Sequence, residues 1–161
     1  MAETLLAFDF GEKRIGVAVG NSLLRHASAL KTLHAVTVSE RFAAVAAVLE
    51  EWHPQRLVVG IPRRADGTAH TMTARCERFA NQLHGRFGLP VERVDERYTS
   101  VEAESRRRDV HRLARNRGAG DEGGRAAAKH LADIDPLAAE IILQSYFEQQ
   151  HAEQSNAQSI G

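Results

Sequence analysis

Residues 5–20, LLAFDFGEKRIGVAVG, decide the fold. Two apolar runs, 5–10 and 15–20, flank a polar turn, Gly11-Glu12-Lys13-Arg14. Runs of this length about a glycine-containing turn predict a β-hairpin. Side chains alternate across a strand, so Leu5, Ala7 and Asp9 share one face and Leu6, Phe8 and Phe10 the other. Both faces are apolar except at Asp9, the pattern of a central strand covered on both sides. An unpaired carboxylate there would cost several kcal/mol. Asp9 therefore needs a hydrogen-bond network, a cation, or water at the strand's open end. Amide hydrogen bonds from the Gly11 turn are the plain structural alternative. The second run has a small face of its own, Gly16, Ala18 and Gly20, which admits another backbone or a ligand.

Outward from the hairpin, residues 26–33 predict a third strand. Thr37 and Glu40 then have the spacing of a capping box, and Phe42, Val45, Leu49 and Trp52 recur at helical intervals until Pro54. Residues 56–62, RLVVGIP, predict a buried strand emptying into a polar loop at 63–70. An amphipathic helix follows over 71–87, with Met72, Cys76, Phe79, Leu83 and Phe87 on one side, closed by Gly88 and Pro90. Residues 91–95, VERVD, predict the next strand, and Thr99 with Glu102 starts a further helix. From 105 to 117 six arginines stand against one acid, Asp109, and 118–124 is glycine-rich. The last element begins at Asp135-Pro136, an acidic cap followed by proline at the first helical position. The tail 151–161 is polar and expected to be disordered. Hairpin strands followed by strand–helix alternation predict an α/β domain over 1–150, with helices on both faces of a mixed sheet.

The chain has 161 residues, enough for one domain with a full core, and its 43% hydrophobic and 26% charged content are ordinary for a globular protein. Net charge is zero, so attraction to a polyanion must come from local patches. The single cysteine, Cys76, excludes an internal disulfide and falls among core positions of its helix. The apolar N-terminus is short, contains Asp9 and runs into a turn, so neither a secretory signal nor a membrane span is expected. The expected location is cytoplasmic. The eight histidines have no zinc-like spacing.

Three acidic positions stand out: Asp9 near the end of the first strand, Asp95-Glu96 at the end of the last, and Asp135 at the mouth of the final helix. Ligands of open α/β sheets gather beyond the carboxyl ends of strands. If the first and last strands are neighbours, Asp9 and Glu96 converge there and Asp135 completes a cluster. Carboxylates packed together repel unless a hard divalent cation neutralises them, and oxygen-only ligation suits Mg2+ or Mn2+. Each acid also has a plain alternative: Glu96 pairing with Arg93 or Arg97, and Asp135 capping its helix.

Four blocks, AFDFGEKRIGVAVGN, VVGIPRRADGT, VDERYTSVEAE and IDPLAAEIILQSYFE, closely resemble in this order the YqgF family. Its members are small RNase H-like proteins described as Holliday junction resolvases and as the nuclease that matures the 5′ end of pre-16S rRNA. The resemblance implies an RNase H-like fold and a metal-dependent nuclease site at Asp9, Glu96 and Asp135. The segment 110–132 departs from the family pattern, leaving Asp133 as an alternative to Asp135; Ile134-Asp135 directly before the apolar helix favours Asp135. The expected substrate is precursor ribosomal RNA, with branched DNA as the alternative and ribosomal particles as further partners. Arg106, Arg107 and Arg108, with Arg63, Arg64 and Arg97, form the expected nucleic-acid contact; the plain alternative is a solvated helix end. The chain would act without a membrane, as monomer or homodimer. Two rival classes remain: an actin-like ATPase lobe, which would need a second lobe to enclose a nucleotide, and a non-catalytic RNA-binding or ribosome-assembly module.

Overall fold

In a computed structural model of the chain, the described residues are 2–64, 66, 71–96 and 134–159, with the side chains of 136–153 in the last stretch. The segment 97–133 lies outside them, and with it Arg97, Arg106, Arg107, Arg108, Asp133 and the capping box at Thr99.

The hairpin forms as its alternation requires. Strand β1 (Thr4–Phe10) pairs antiparallel with β2 (Arg14–Asn21), which sets Asp9 opposite Gly16 and Phe10 opposite Ile15. β3 (His26–His34) continues antiparallel to β2. Helix α1 (Val38–Trp52) then crosses to β4 (Arg56–Ile61), parallel to β1, and α2 (Thr73–Phe87) crosses to β5 (Val91–Asp95), parallel to β4. Among the described residues the sheet order is β3-β2-β1-β4-β5, the mixed sheet of an RNase H-like α/β fold. Helix α3 (Ile134–Ser159) covers the second face. β1 is the middle strand, and Leu5, Leu6, Ala7 and Phe8 are all buried.

The alternation along β1 divides the interior into two layers. Leu6 and Phe8 face α1 and α2 with Ile15, Val17, Leu57 and Val59. Phe79 of α2 is the hub: its ring meets Phe8 edge-on at 6.0 Å, Phe10 at 4.7 Å and Phe42 at 6.1 Å. Leu5 and Ala7 face α3, against Ala139, Ile142, Leu143 and Phe147. Gly20 belongs to this second layer. A Cβ there would approach Leu143, Phe147 and the His26 carbonyl to 2.9 Å each, so its small size lets α3 close on the sheet.

The helices differ from expectation at their ends. Thr37 caps α1, accepting from the Glu40 N–H at 3.1 Å, while the Glu40 carboxylate takes the Val36 N–H. The inward face of α1 is Phe42, Val45 and Val48, with Leu49 partly buried against the same core, and Trp52, the last helical residue before the left-handed His53, is 36% exposed. α2 starts at Thr73, later than expected. The Thr73 hydroxyl donates to the Pro62 carbonyl, which ties the helix start to the end of β4. α3 starts one residue before Asp135 and stays helical to Ser159, through most of the tail expected to be disordered. Two Ala, two Gln and one Glu of that extension are good helix formers, and the His151 ring meets the Arg25 guanidinium.

Candidate active site

Strands β1, β4 and β5 are parallel and end at one pole of the sheet. Register fixes who meets whom there. Phe8 pairs with Val59 and Gly60 with Val94, so Asp9, Gly60 and Val94 stand abreast on three adjacent strands. Alternation puts Asp9, Gly60, Val94 and Glu96 on the α3 face. A Cβ on Gly60 would collide with Glu96 Oε1, and would lie 3.0 Å from Glu96 Cδ and 2.5 Å from Ile142 Cδ1. The Glu96 carboxylate therefore lies over the bare backbone of β4, with Ile142 of α3 beside it. Neighbouring strands are ~4.8 Å apart, so this reach carries Glu96 about one strand closer to Asp9. The two acids flank one glycine.

Asp135 is the second residue of α3. It precedes Ile142 by two helical turns, ~10 Å of rise, which brings its backbone to the same pole. The spacing of 135, 139 and 142 assigns its position to the helix face that carries Ala139 and Ile142. Among the described residues no group of three His, Cys, Asp or Glu side chains is placed to hold a metal ion; the Asp135 side chain lies outside them.

The charge of the pair reaches across the sheet. Cys76 of α2 is buried on the opposite face, and its thiol is pushed up to about 12, first by burial and then by the negative charge of Glu96 and Asp9. Carboxylate oxygens are hard ligands, so this pair of side chains suits a hard cation. The donor set fits Mg2+ or Mn2+.

Arg93, one of the partners considered for Glu96, spends its guanidinium elsewhere, donating to Glu77 and Asn81 at 2.6 Å each. Asp95 pairs in register with Ile61 and shares the α2 side with Arg93. Arg63 approaches Glu77 at 3.9 Å, and Arg64 is exposed at the same pole. Gly60 is the residue that sequence reasoning missed. The signal was present: a glycine inside the buried run LVVGI marks a close approach.

Residues 3–149 match the RuvX family, described as Holliday junction resolvase. The chain belongs to the RuvX family. The match runs from β1 into α3 and includes Asp9, Glu96 and Asp135. A Burkholderia lata protein named "Putative pre-16S rRNA nuclease" is 53% identical over 148 residues, covering 91% of this chain and 89% of that protein. A Burkholderia multivorans protein of the same name is 52% identical over the same span. Among solved structures, T. thermophilus RuvC in complex with Holliday junction substrate superimposes with a TM-score of 0.50 at 15% identity. It covers 92% of this RuvX chain and 96% of RuvC. That likeness is one of fold. In the RuvX chain the fold does one specific thing for the site: its parallel strands deliver two carboxylates to one pole.

Proposed function

We propose that this RuvX chain is a divalent-metal-dependent endonuclease that matures the 5′ end of pre-16S rRNA in the cytoplasm. The observation that carries this reading is the Glu96 carboxylate lying over Gly60, one strand from Asp9, at the carboxyl ends of the parallel strands. Asp9 and Glu96 hold the cation and Asp135 completes its ligands, with Mg2+ or Mn2+ as the ion. Divalent ions there supply an activated water and a counter-charge for the leaving oxygen of a phosphodiester. Gly16, opposite Asp9, adds no side chain beside the approaching scissile phosphate, and Gly60 makes room for the Glu96 carboxylate.

A neutral chain with an acidic centre needs local features that hold a polyanion. The crossovers provide one, since α1, α2 and α3 all start at the pole where β1, β4 and β5 end. The positive ends of three helix dipoles thus lie at the pole that carries the acidic site, that of α3 on the same face as the two acids. Arg63 and Arg64 add charge at the mouth, and Arg97, Arg106, Arg107 and Arg108 extend the substrate path in this reading.

The family's description and the RuvC fold favour one second reading, resolution of four-way DNA junctions. A side-by-side cleavage assay decides: purified chain with Mg2+ or Mn2+, given RNA spanning the pre-16S 5′ end and a four-way DNA junction. Cleavage of the RNA at the mature end, with the junction left intact, is the expected result. Junction resolution with intact RNA would replace the first reading by the second.

A further inference from the structure

The turn between β1 and β2 carries a pair of cations that the site described above does not use. In strand alternation Arg14 falls on the face of Gly16 and Ala18, the same face as Asp9. Asp9 pairs directly with Gly16, so Arg14 is its diagonal neighbour one step nearer the pole, a separation of ~7–8 Å between backbones. Gly16 adds no side chain between them. Lys13 precedes Arg14 in the turn, and both side chains are exposed. Among the described residues neither has an ionic partner.

The turn itself is held from three sides. The Lys13 carbonyl accepts from the Ala35 N–H at 3.2 Å. Arg41 of α1 lies 4.9 Å over the Phe10 ring and donates to the Glu12 carbonyl at 3.3 Å. Arg75 of α2 forms an ion pair with the Glu12 carboxylate. The one acid of the turn is thereby neutralised by a helix, and the two cations beside it are left to the solvent. Gly11 is required for so tight a bend, since a Cβ there would come within 2.6 Å of the Arg14 carbonyl oxygen.

We propose that Arg14, with Lys13 beside it on this anchored turn, seats a backbone phosphate of the substrate next to the phosphate that approaches Asp9 and Glu96. The inference rests on the nuclease reading and deepens it, because it says where the nucleic acid leaves the acidic centre: across the β1–β2 turn. Arg14 is a positioning residue in this arrangement. Its guanidinium binds a non-reacting phosphate, with two parallel donors available to the phosphate oxygens, and a backbone held there presents its neighbour to the carboxylates. Phosphate contact carries no sequence information, so RNA and branched DNA are treated alike at this point.

The test is binding of fluorescently labelled pre-16S RNA and of a four-way DNA junction, followed by anisotropy in EDTA across a series of KCl concentrations. Arg14→Gln should lower the slope of log affinity against log salt by ~0.7 on single-stranded RNA and by ~0.9 on duplex arms. The double change Lys13→Gln with Arg14→Gln should lower it by about twice that. Arg14→Lys should keep most of the slope, and Lys31→Ala, a charge loss on β3 that is paired with Glu51, should leave it as in the wild type. Under turnover the Arg14→Gln protein should show a larger rise in KM than fall in kcat. Melting curves matching the wild type would assign these effects to the missing charge. A folded Arg14→Gln protein with the wild-type slope and KM overturns the inference while the nuclease reading stands. A wild-type chain that binds neither nucleic acid overturns the nuclease reading itself.

Discussion

The carboxylate of Glu96 occupies the space that a side chain at residue 60 would take, so Gly60 and Glu96 behave as one unit of the site. A methyl group at 60 would also press on Ile142 Cδ1 at 2.5 Å. Gly60→Ala should therefore displace the acid and the helix together. A displacement of ~1 Å at a reacting centre costs on the order of 100-fold in rate, whereas overpacking of this kind costs ~1–3 kcal/mol of stability. Cleavage should collapse while the melting temperature falls by only a few degrees. A Gly60→Ala protein with wild-type cleavage would show that Glu96 is free to leave this position without loss.

Neighbouring acids separate by face. Glu96→Gln and Asp135→Asn should damage catalysis far more than Asp95→Asn or Asp133→Asn. Asp95 is in register with Ile61 on the α2 side, whereas Glu96 overlies Gly60 on the α3 side. Relative kcat values for the four proteins check this. If Asp133→Asn is inactive and Asp135→Asn only loses the ~1 kcal/mol typical of a helix cap, the third acid is Asp133.

Cys76 reports first on its burial and then on the negative charge of Glu96 and Asp9. Its thiol is raised from an ordinary 9.0 to about 12 in the folded chain, so between those values the unfolded chain loses the proton while the folded chain keeps it. The unfolded state then binds fewer protons, and stability falls as pH rises through that window. Urea melts of wild type and Cys76→Ala from neutral pH upward should diverge above about pH 9, with the wild type falling more steeply. Parallel curves would mean that the thiol does not feel this environment. In the native state Cys76 should also react very slowly with thiol reagents at neutral pH.

The arginine-dense segment extends the substrate path in the nuclease reading. Reversing charge at Arg106, Arg107 and Arg108 should weaken RNA binding across sequences and flatten its salt dependence by ~0.7 log units per lost contact on a single strand. Filter binding over a salt series measures it. Unchanged binding in the triple variant would make that segment solvated surface.

Much of the fold is legible in two features of the sequence, the double-sided apolar run 5–10 and the later strand–helix alternation. β1 lies mid-sheet because both of its faces are apolar, and that was visible residue by residue. Helix ends were less so. The start of α2 depends on a long-range bond from Thr73 to Pro62, and the length of α3 is supported by a contact between His151 and Arg25, neither of which local propensity encodes. At the site, Asp9 announces itself as the one polar residue in the apolar run 5–10. Gly60 does not, because its role depends on the register of β4 against β5 and on the reach of a glutamate two residues past Val94. Arg14 was hidden for a similar reason: its shared face with Asp9 follows from hairpin pairing, while in sequence it reads only as turn polarity.

Asp9→Asn decides whether Asp9 belongs to a metal-dependent phosphodiesterase centre. The measurement is cleavage of end-labelled pre-16S RNA with Mg2+ or Mn2+, on protein whose melting curve is recorded alongside. Removing one of two like charges relieves repulsion when metal is absent, so the variant should melt at or slightly above the wild-type temperature in EDTA. It should still bind the RNA and should show no cleavage above background, while the wild type cleaves only when the metal is added. A folded Asp9→Asn protein that cleaves at the wild-type rate with Mg2+ would exclude Asp9 from that centre.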